Sequence, residues 1–102
     1  MSLTTHVIDT VKGRGAAGMV VEVHCAGAML AVVMLDDSGR AVLLPELDAG
    51  AYQILFNAGD YLGIADGFYN VIPVRFNVDD PTRDYHVPLI LSPFGYSTYR
   101  GG

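Results

Sequence analysis

The sequence predicts an all-β fold, an antiparallel β-sandwich, on three observations. About eight short runs alternate apolar and polar residues with period two, turn residues separate them at intervals of about 8 to 12 residues, and only one stretch has helical spacing. With 102 residues and no internal repeat, linker or low-complexity segment, the chain reads as one domain over 1–102.

The first strand is Leu3 to Val11, where Val7 faces one way and His6, Ile8 and Thr10 the other. Gly13-Arg14-Gly15 then turns the chain. Met19 to Cys25 is a second strand of β-branched residues interrupted by Glu22 and His24, and Ala26-Gly27-Ala28 is a turn or bulge before the apolar strand Met29 to Leu35. Asp36-Asp37-Ser38-Gly39 carries turn chemistry, because short Asx and Ser side chains bond their own backbone and glycine accepts positive φ. A hairpin follows, with Arg40 to Leu44 as its second arm. Pro45 and Glu46 to Gly50 lead to the strand Ala51 to Phe56. Asp60 to Ala65 is the one helix candidate: Asp60 is placed to cap it, Tyr61 and Ile64 stand three apart, and Gly67 ends the turn. Asn70 to Val78 is a strand, Asp79-Asp80-Pro81 a turn, and Asp84 to Leu91 a strand. In the last of these, Val87, Leu89 and Leu91 form a core face, with His86, Pro88 and Ile90 opposite. After the break at Ser92-Pro93-Phe94-Gly95, a final alternating run sets Ser97 and Tyr99 against Tyr96 and Thr98.

Composition removes several function classes. The apolar share of 51% is high for a small soluble monomer and points to apolar surface hidden in an oligomer. The longest uncharged aliphatic piece, Ala26 to Leu35, falls well short of the roughly 20 residues a membrane span requires, so no membrane partner is expected. A formal charge of -5, with Lys12 the only lysine, argues against sequence-independent nucleic-acid binding, which needs a basic face to displace counterions. Met1 to Thr10 lacks the basic start and apolar core of a secretory signal, and the single Cys25 cannot form an intrachain disulfide, so a cytoplasmic location is expected.

Three polar side chains fall on strands among apolar neighbours: His6, Arg40 and His86. Histidine takes and returns a proton near neutrality, since its ordinary pKa is about 6.5. Two imidazoles beside a guanidinium suit hydrolysis, with one activating water, one steering the proton, and the guanidinium stabilising developing negative oxygen. Spacing alone leaves the bland alternative open, that these are ordinary strand-surface histidines and a hairpin arginine. His24 stands near Cys25 and Glu22, but no further ligand pair accompanies it and it reads as solvent-facing; Cys25 reads as a small apolar residue. Tyr52, Phe56, Tyr61, Phe68, Tyr69 and Phe76 are expected in the core or an interface.

Five segments carry a resemblance. LTTHVIDT at Leu3 to Thr10, SGR at Ser38 to Arg40, GDY at Gly59 to Tyr61, PVRF at Pro73 to Phe76 and YHVPLILSPFGYSTYRGG at Tyr85 to Gly102 are similar to the 5-hydroxyisourate hydrolases, the enzyme branch of the transthyretin-related proteins. The resemblance spans essentially the whole chain. It implies a transthyretin-like sandwich of two four-stranded sheets with one short helix, and a homotetramer whose channel between two dimers holds the active sites. It also implies hydrolytic opening of the six-membered ring of 5-hydroxyisourate, a product of urate oxidation, to a ureidoimidazoline carboxylate, with no metal or organic cofactor. His6, Arg40 and His86 match the family's catalytic positions. Tyr99, Arg100 and Gly101 match its terminal YRG, and these three with Gly102, His6 and Arg40 are the implied substrate-binding residues.

Two departures stand out. Gly102 replaces the family's usual terminal serine, which removes a hydroxyl and implies reduced or rearranged substrate contact. Gly15 stands where the family commonly has proline, and the expected effect is a looser turn remote from the chemistry. Two other functions compete: a transthyretin-like carrier holding a small aromatic ligand in the tetramer channel, and an inactive paralogue. A carrier has no physical need for His6, Arg40, His86 and the YRG tail together.

Overall fold

The computed structural model describes residues 1–63 and 66–102. Its elements in order are β1 (Leu3–Asp9), β2 (Arg14–Gly15), β3 (Val20–Cys25), β4 (Ala28–Met34), β5 (Arg40–Leu44), β6 (Gly50–Asn57), α1 (Ala58–Leu62), β7 (Val71–Val78), β8 (Tyr85–His86), β9 (Leu89–Ser92) and β10 (Gly95–Thr98). One sheet runs β4-β3-β6-β7 with every neighbour antiparallel. The other follows the path β10-β9-β1-β2, with β5 and β8 also paired to β1. Its six segments fill four lanes, so both sheets are four strands wide as expected. β8 and β9 are one line interrupted at Val87 and Pro88, while β5 and β2 share one flank of β1, β5 against Leu3 to His6 and β2 against Ile8 and Asp9.

β1 shows why these residues form strands. Leu3, Thr5, Val7 and Asp9 are buried and Thr4, His6 and Ile8 are half-buried, the strict alternation of a strand with one face on a core. Between the sheets, Leu3, Val7, Val23, Ile54, Phe56 and Leu89 are fully buried. Each such side chain contributes about 1.5–3 kcal/mol by leaving water.

The sandwich is antiparallel except at one seam, where β1 runs parallel to β8 and β9. A parallel neighbour needs a long crossover instead of a turn. Here the connection passes through the whole of the second sheet. The expected continuous strand from Asp84 to Leu91 is also broken, because Pro88 has no N–H to give the ladder. The carbonyls around the break are satisfied by hydroxyls: Thr5 Oγ1 donates to Val87 O at 2.7 Å and Thr98 Oγ1 to Pro88 O at 2.7 Å.

Other boundaries shift for local reasons. β1 stops at Asp9, whose carboxylate accepts the N–H groups of Val11 and Lys12 at 2.9 and 3.2 Å and so turns the chain two residues early. α1 starts after Asn57, which spends its side-chain amide on Val20 O at 3.0 Å; Asp60 lies in the first turn and caps nothing. Gly63, with φ 85°, ends the helix in place of Gly67. Ile64 and Ala65, the predicted last residues of the helix, lie outside the described residues. Of the aromatics expected in the core or an interface, Tyr52 and Phe56 are buried, whereas Phe68 is exposed.

Candidate active site

The lateral order β5, β1, β8 places the three candidate residues on one outward face. His6 stands directly opposite Arg40 in the β1–β5 register, and Thr4, on the same face of β1 as His6, stands opposite His86 in the β1–β8 register. Directly opposed side chains on an antiparallel pair have Cβ atoms about 4.5–5.5 Å apart, so His6 and Arg40 are neighbours although 34 positions separate them in the chain.

A cleft of about 360 Å³ opens here, lined by Thr4, Thr5, Asp36, Arg40, Ala41, Val42 and His86. His6 is not among its lining residues. Its field nevertheless reaches the site: burial first, then the charges of His6 and Arg40, push the His86 imidazole below its ordinary pKa, and the Thr4 backbone pulls the other way. Thr4 Oγ1 and His86 Nδ1 lie 2.8 Å apart, which fixes the ring and directs its other nitrogen, Nε2, away from β1. Among the described residues the Arg40 guanidinium has no ion-pair partner. Its backbone N–H donates to Asp36 Oδ1 at 2.9 Å, and that bond, followed by the Ser38 hydroxyl, holds the exposed Asp36 carboxyl below the usual range.

The C-terminal residues meet the site from the other side of His86. Gly101 N–H donates to His86 O at 2.8 Å, and a Cβ at Gly101 would stand 2.5 Å from the imidazole Cδ2, so only glycine lets the tail lie flat against that ring. Tyr99 and Arg100 line a second cleft of about 230 Å³ together with Arg75, Phe76, Tyr85 and His86. The Arg100 guanidinium sits 4.9 Å over the Tyr85 ring. Within the single chain the expected substrate-binding residues therefore divide. Arg40 lines one cleft, Tyr99 and Arg100 line the next, His86 is common to both, and Gly102 lies exposed beyond them.

Sequence reasoning passed over two groups. Thr4 was hidden because threonine is an ordinary strand residue; its position two before His6, on the same face, was the available signal. Asp36 was read only as a turn former. It forms that turn, and it also borders the cleft. His24 is half-buried instead of solvent-facing, with Nε2 3.0 Å from Glu22 Oε1. Among the described residues no group of three or more His, Cys, Asp or Glu side chains is placed to hold a metal ion.

Fold and face together define a transthyretin-like β-sandwich in which the sheet built on β1 carries two histidines and an arginine on its outward face. The model of the HIUase/Transthyretin family matches residues 3–101, and the chain belongs to that family. It is 40% identical to 5-hydroxyisourate hydrolase 2 of Rhizobium meliloti (strain 1021), with 97% of this chain and 94% of that protein covered. Among solved structures it is similar to Klebsiella pneumoniae 5-hydroxyisourate hydrolase, at TM-score 0.91 and 29% identity with 100% of both chains covered. It is equally similar in shape to sea bream transthyretin in complex with thyroxine, at TM-score 0.91 and 28% identity, covering 99% of this chain and 95% of that one.

Proposed function

We propose that this chain is a cyclic amide hydrolase of purine catabolism that converts 5-hydroxyisourate to 2-oxo-4-hydroxy-4-carboxy-5-ureidoimidazoline, with residues 1–102 acting as one catalytic domain. The observation that carries the reading is His86: an imidazole whose pKa is depressed by burial, His6 and Arg40, tethered at Nδ1 by Thr4, on the wall of a cleft that Arg40 also lines. His86 is the general base. Its lowered pKa keeps it neutral at physiological pH, and the productive tautomer donates Nδ1–H to Thr4 Oγ1, leaving the Nε2 lone pair for water.

His86 Nε2 removes a proton from water as its oxygen adds to a ring carbonyl of the substrate. Arg40 faces the oxygen that becomes negative, and its positive charge is worth more in a cleft from which substrate has displaced water. His6 sits between base and guanidinium and steers the substrate's polar edge. When the ring C–N bond breaks, the proton held by His86 passes to the leaving nitrogen and restores the free base. Tyr99, Arg100, Gly101 and Gly102 contribute to substrate binding from beside the ring of His86.

A homotetramer completes the site in this reading. The face bearing His6 is open in one chain, and Val42, Tyr96 and Tyr99 remain exposed on the same sheet or at its edge, so a second copy would cover apolar surface and exclude water together. The compartment proposed is the cytoplasm, in keeping with the free thiol of Cys25.

The test generates 5-hydroxyisourate in place from urate with a urate oxidase and follows its ultraviolet absorbance. Added protein should speed the decay well beyond the spontaneous rate. An unchanged decay would refute the enzyme reading, and saturable ligand binding without turnover would replace it with the carrier.

A further inference from the structure

Beyond Thr98, where β10 ends, the tail has two fixings among the described residues. Gly101 N–H donates to His86 O at 2.8 Å as an isolated antiparallel bridge, and the Arg100 guanidinium sits 4.9 Å over the Tyr85 ring. One hydrogen bond is a weak hold on a chain end, which frays unless it is tied down. The contact with Tyr85 is the second tie. Arg100 has no ion-pair partner among the described residues, so the ring face, with the Asp79 carboxylate at longer range, is what receives its charge.

Tyr85 is anchored through both its backbone and its hydroxyl. Its N–H donates to Ser2 O at 2.9 Å, its side chain is buried, and its hydroxyl donates to Asp79 Oδ1 at 2.8 Å while accepting from Asp80 N–H at 3.2 Å. That hydroxyl bond, ahead of the charges of Arg100 and Arg83, holds the exposed Asp79 carboxyl below the usual range. The turn behind it is closed by Asp80 Oδ1, which accepts from Thr82 N–H at 3.0 Å and Thr82 Oγ1 at 2.5 Å. The ring is therefore a fixed platform for Arg100, and it stands one residue before His86 in β8. Gly101 in turn lies against the Cδ2 edge of the His86 imidazole, and Cδ2 is bonded to Nε2, the nitrogen left free when Thr4 holds Nδ1.

We propose that Tyr85 is a positioning residue for His86: its ring, anchored by its hydroxyl to the turn at Asp79 and Asp80, receives Arg100 and so keeps Gly101 seated against the imidazole, where the tail closes one side of the base. The proposal rests on the reading of His86 as the base.

The experiment compares Tyr85→Leu, which removes the ring face, with Tyr52→Phe, a change at another buried tyrosine whose hydroxyl bridges a turn, at Asp48, away from the tail. Hydrogen exchange at the Gly101 amide is read without substrate, and kcat/KM with 5-hydroxyisourate. Tyr85→Leu should speed Gly101 exchange and lower kcat/KM by roughly 2- to 30-fold each, the range spanned by losing one cation–π contact. Tyr85→Phe keeps the ring and should retain most of both, and Tyr52→Phe should leave both at wild type. In a Gly101→Ala background Tyr85→Leu should add little to the loss of kcat/KM, because the tail is already off the imidazole. Wild-type Gly101 exchange in Tyr85→Leu overturns the proposal, as does an equal fall of kcat/KM in both backgrounds. Should Tyr85→Leu fail to fold, Arg100→Gln breaks the same contact from its exposed end. It should lose Gly101 protection where Arg100→Lys, which keeps a cation for the ring, retains it, and the two behaving alike overturns the proposal. If His86→Asn keeps full activity, the reading of His86 as the base has failed, and Gly101 exchange still decides whether Tyr85 holds the tail.

Discussion

Thr4→Val removes the one side-chain bond that orients His86 while keeping nearly the same shape. The Oγ1 to Nδ1 distance of 2.8 Å and the half-buried setting describe a good neutral hydrogen bond that water can replace only in part. Such a bond is worth about 0.5–1.5 kcal/mol net, and a ring N–H left without it in a partly dry site adds a cost near the lower end of the ~1–3 kcal/mol range for unsatisfied groups. A loss of about 1–2 kcal/mol in the population of correctly oriented, correctly protonated His86 corresponds to a fall of roughly 5- to 30-fold in kcat. Substrate contacts made by Arg40 are untouched, so KM should change little. Thr4→Ser retains the hydroxyl and should recover most of the rate. Stopped-flow measurement of 5-hydroxyisourate decay gives both constants. The reasoning fails if Thr4→Val keeps wild-type kcat, or if Thr4→Ser is impaired as deeply as Thr4→Val, which would mean that packing at position 4 matters and the hydroxyl does not.

Arg40→Gln should move the acid limb of the kcat/KM profile to higher pH, because removing a cation that helps depress His86 raises the imidazole pKa; a limb that stays in place would assign the titration elsewhere. The same change should lower kcat by about 10²–10³-fold through the lost charge opposite the developing oxyanion. Tyr61→Phe removes the 2.7 Å bond to the buried Asp9 and should cost about 1–3 kcal/mol in urea unfolding. Burial alone would raise the Asp9 carboxyl, and the bonds from Tyr61, Lys12 and Val11 outweigh it and hold it below 3.8. Its contribution is therefore present above the unfolded pKa and lost as pH falls through the folded one. Without Tyr61 that loss should begin at higher pH, which acid titration followed by circular dichroism would show. Gly101→Ala should push the tail off the His86 ring and lower kcat/KM with little effect on unfolding, since position 101 lies outside the core; unaltered kinetics would detach the tail from the site.

Alternation made β1, β3 and β6 legible, because one buried face imposes period two on whichever residues occupy it. The parallel seam was not legible. Val7 pairs with Leu89 across most of the chain, and no local pattern records a partner that distant. Pro88 was readable and was passed over, since a proline inside a strand pattern signals a break. The helix begins three residues earlier than expected, after Asn57, whose side chain is turned toward Val20, so that Asp60, the expected cap, stands inside the first turn. His6, Arg40 and His86 could be named from their chemistry and from family likeness. That they share a face follows only from β5 and β8 flanking the same strand, which is a property of topology.

The seam between β1 and β8 also fixes when chemistry becomes available to the growing polypeptide. The opening strand waits with one flank bare until Tyr85 and His86 arrive to line it, so contacts of the longest range are among the last to close. A chain cut short between Val78 and Tyr85 keeps all four strands of the second sheet, yet lacks His86, the proposed base, and has only part of either cleft. With His86 as the proposed base, catalytic competence is expected only once the last strands are in place, and products truncated before Tyr85 are expected to be silent rather than partially active.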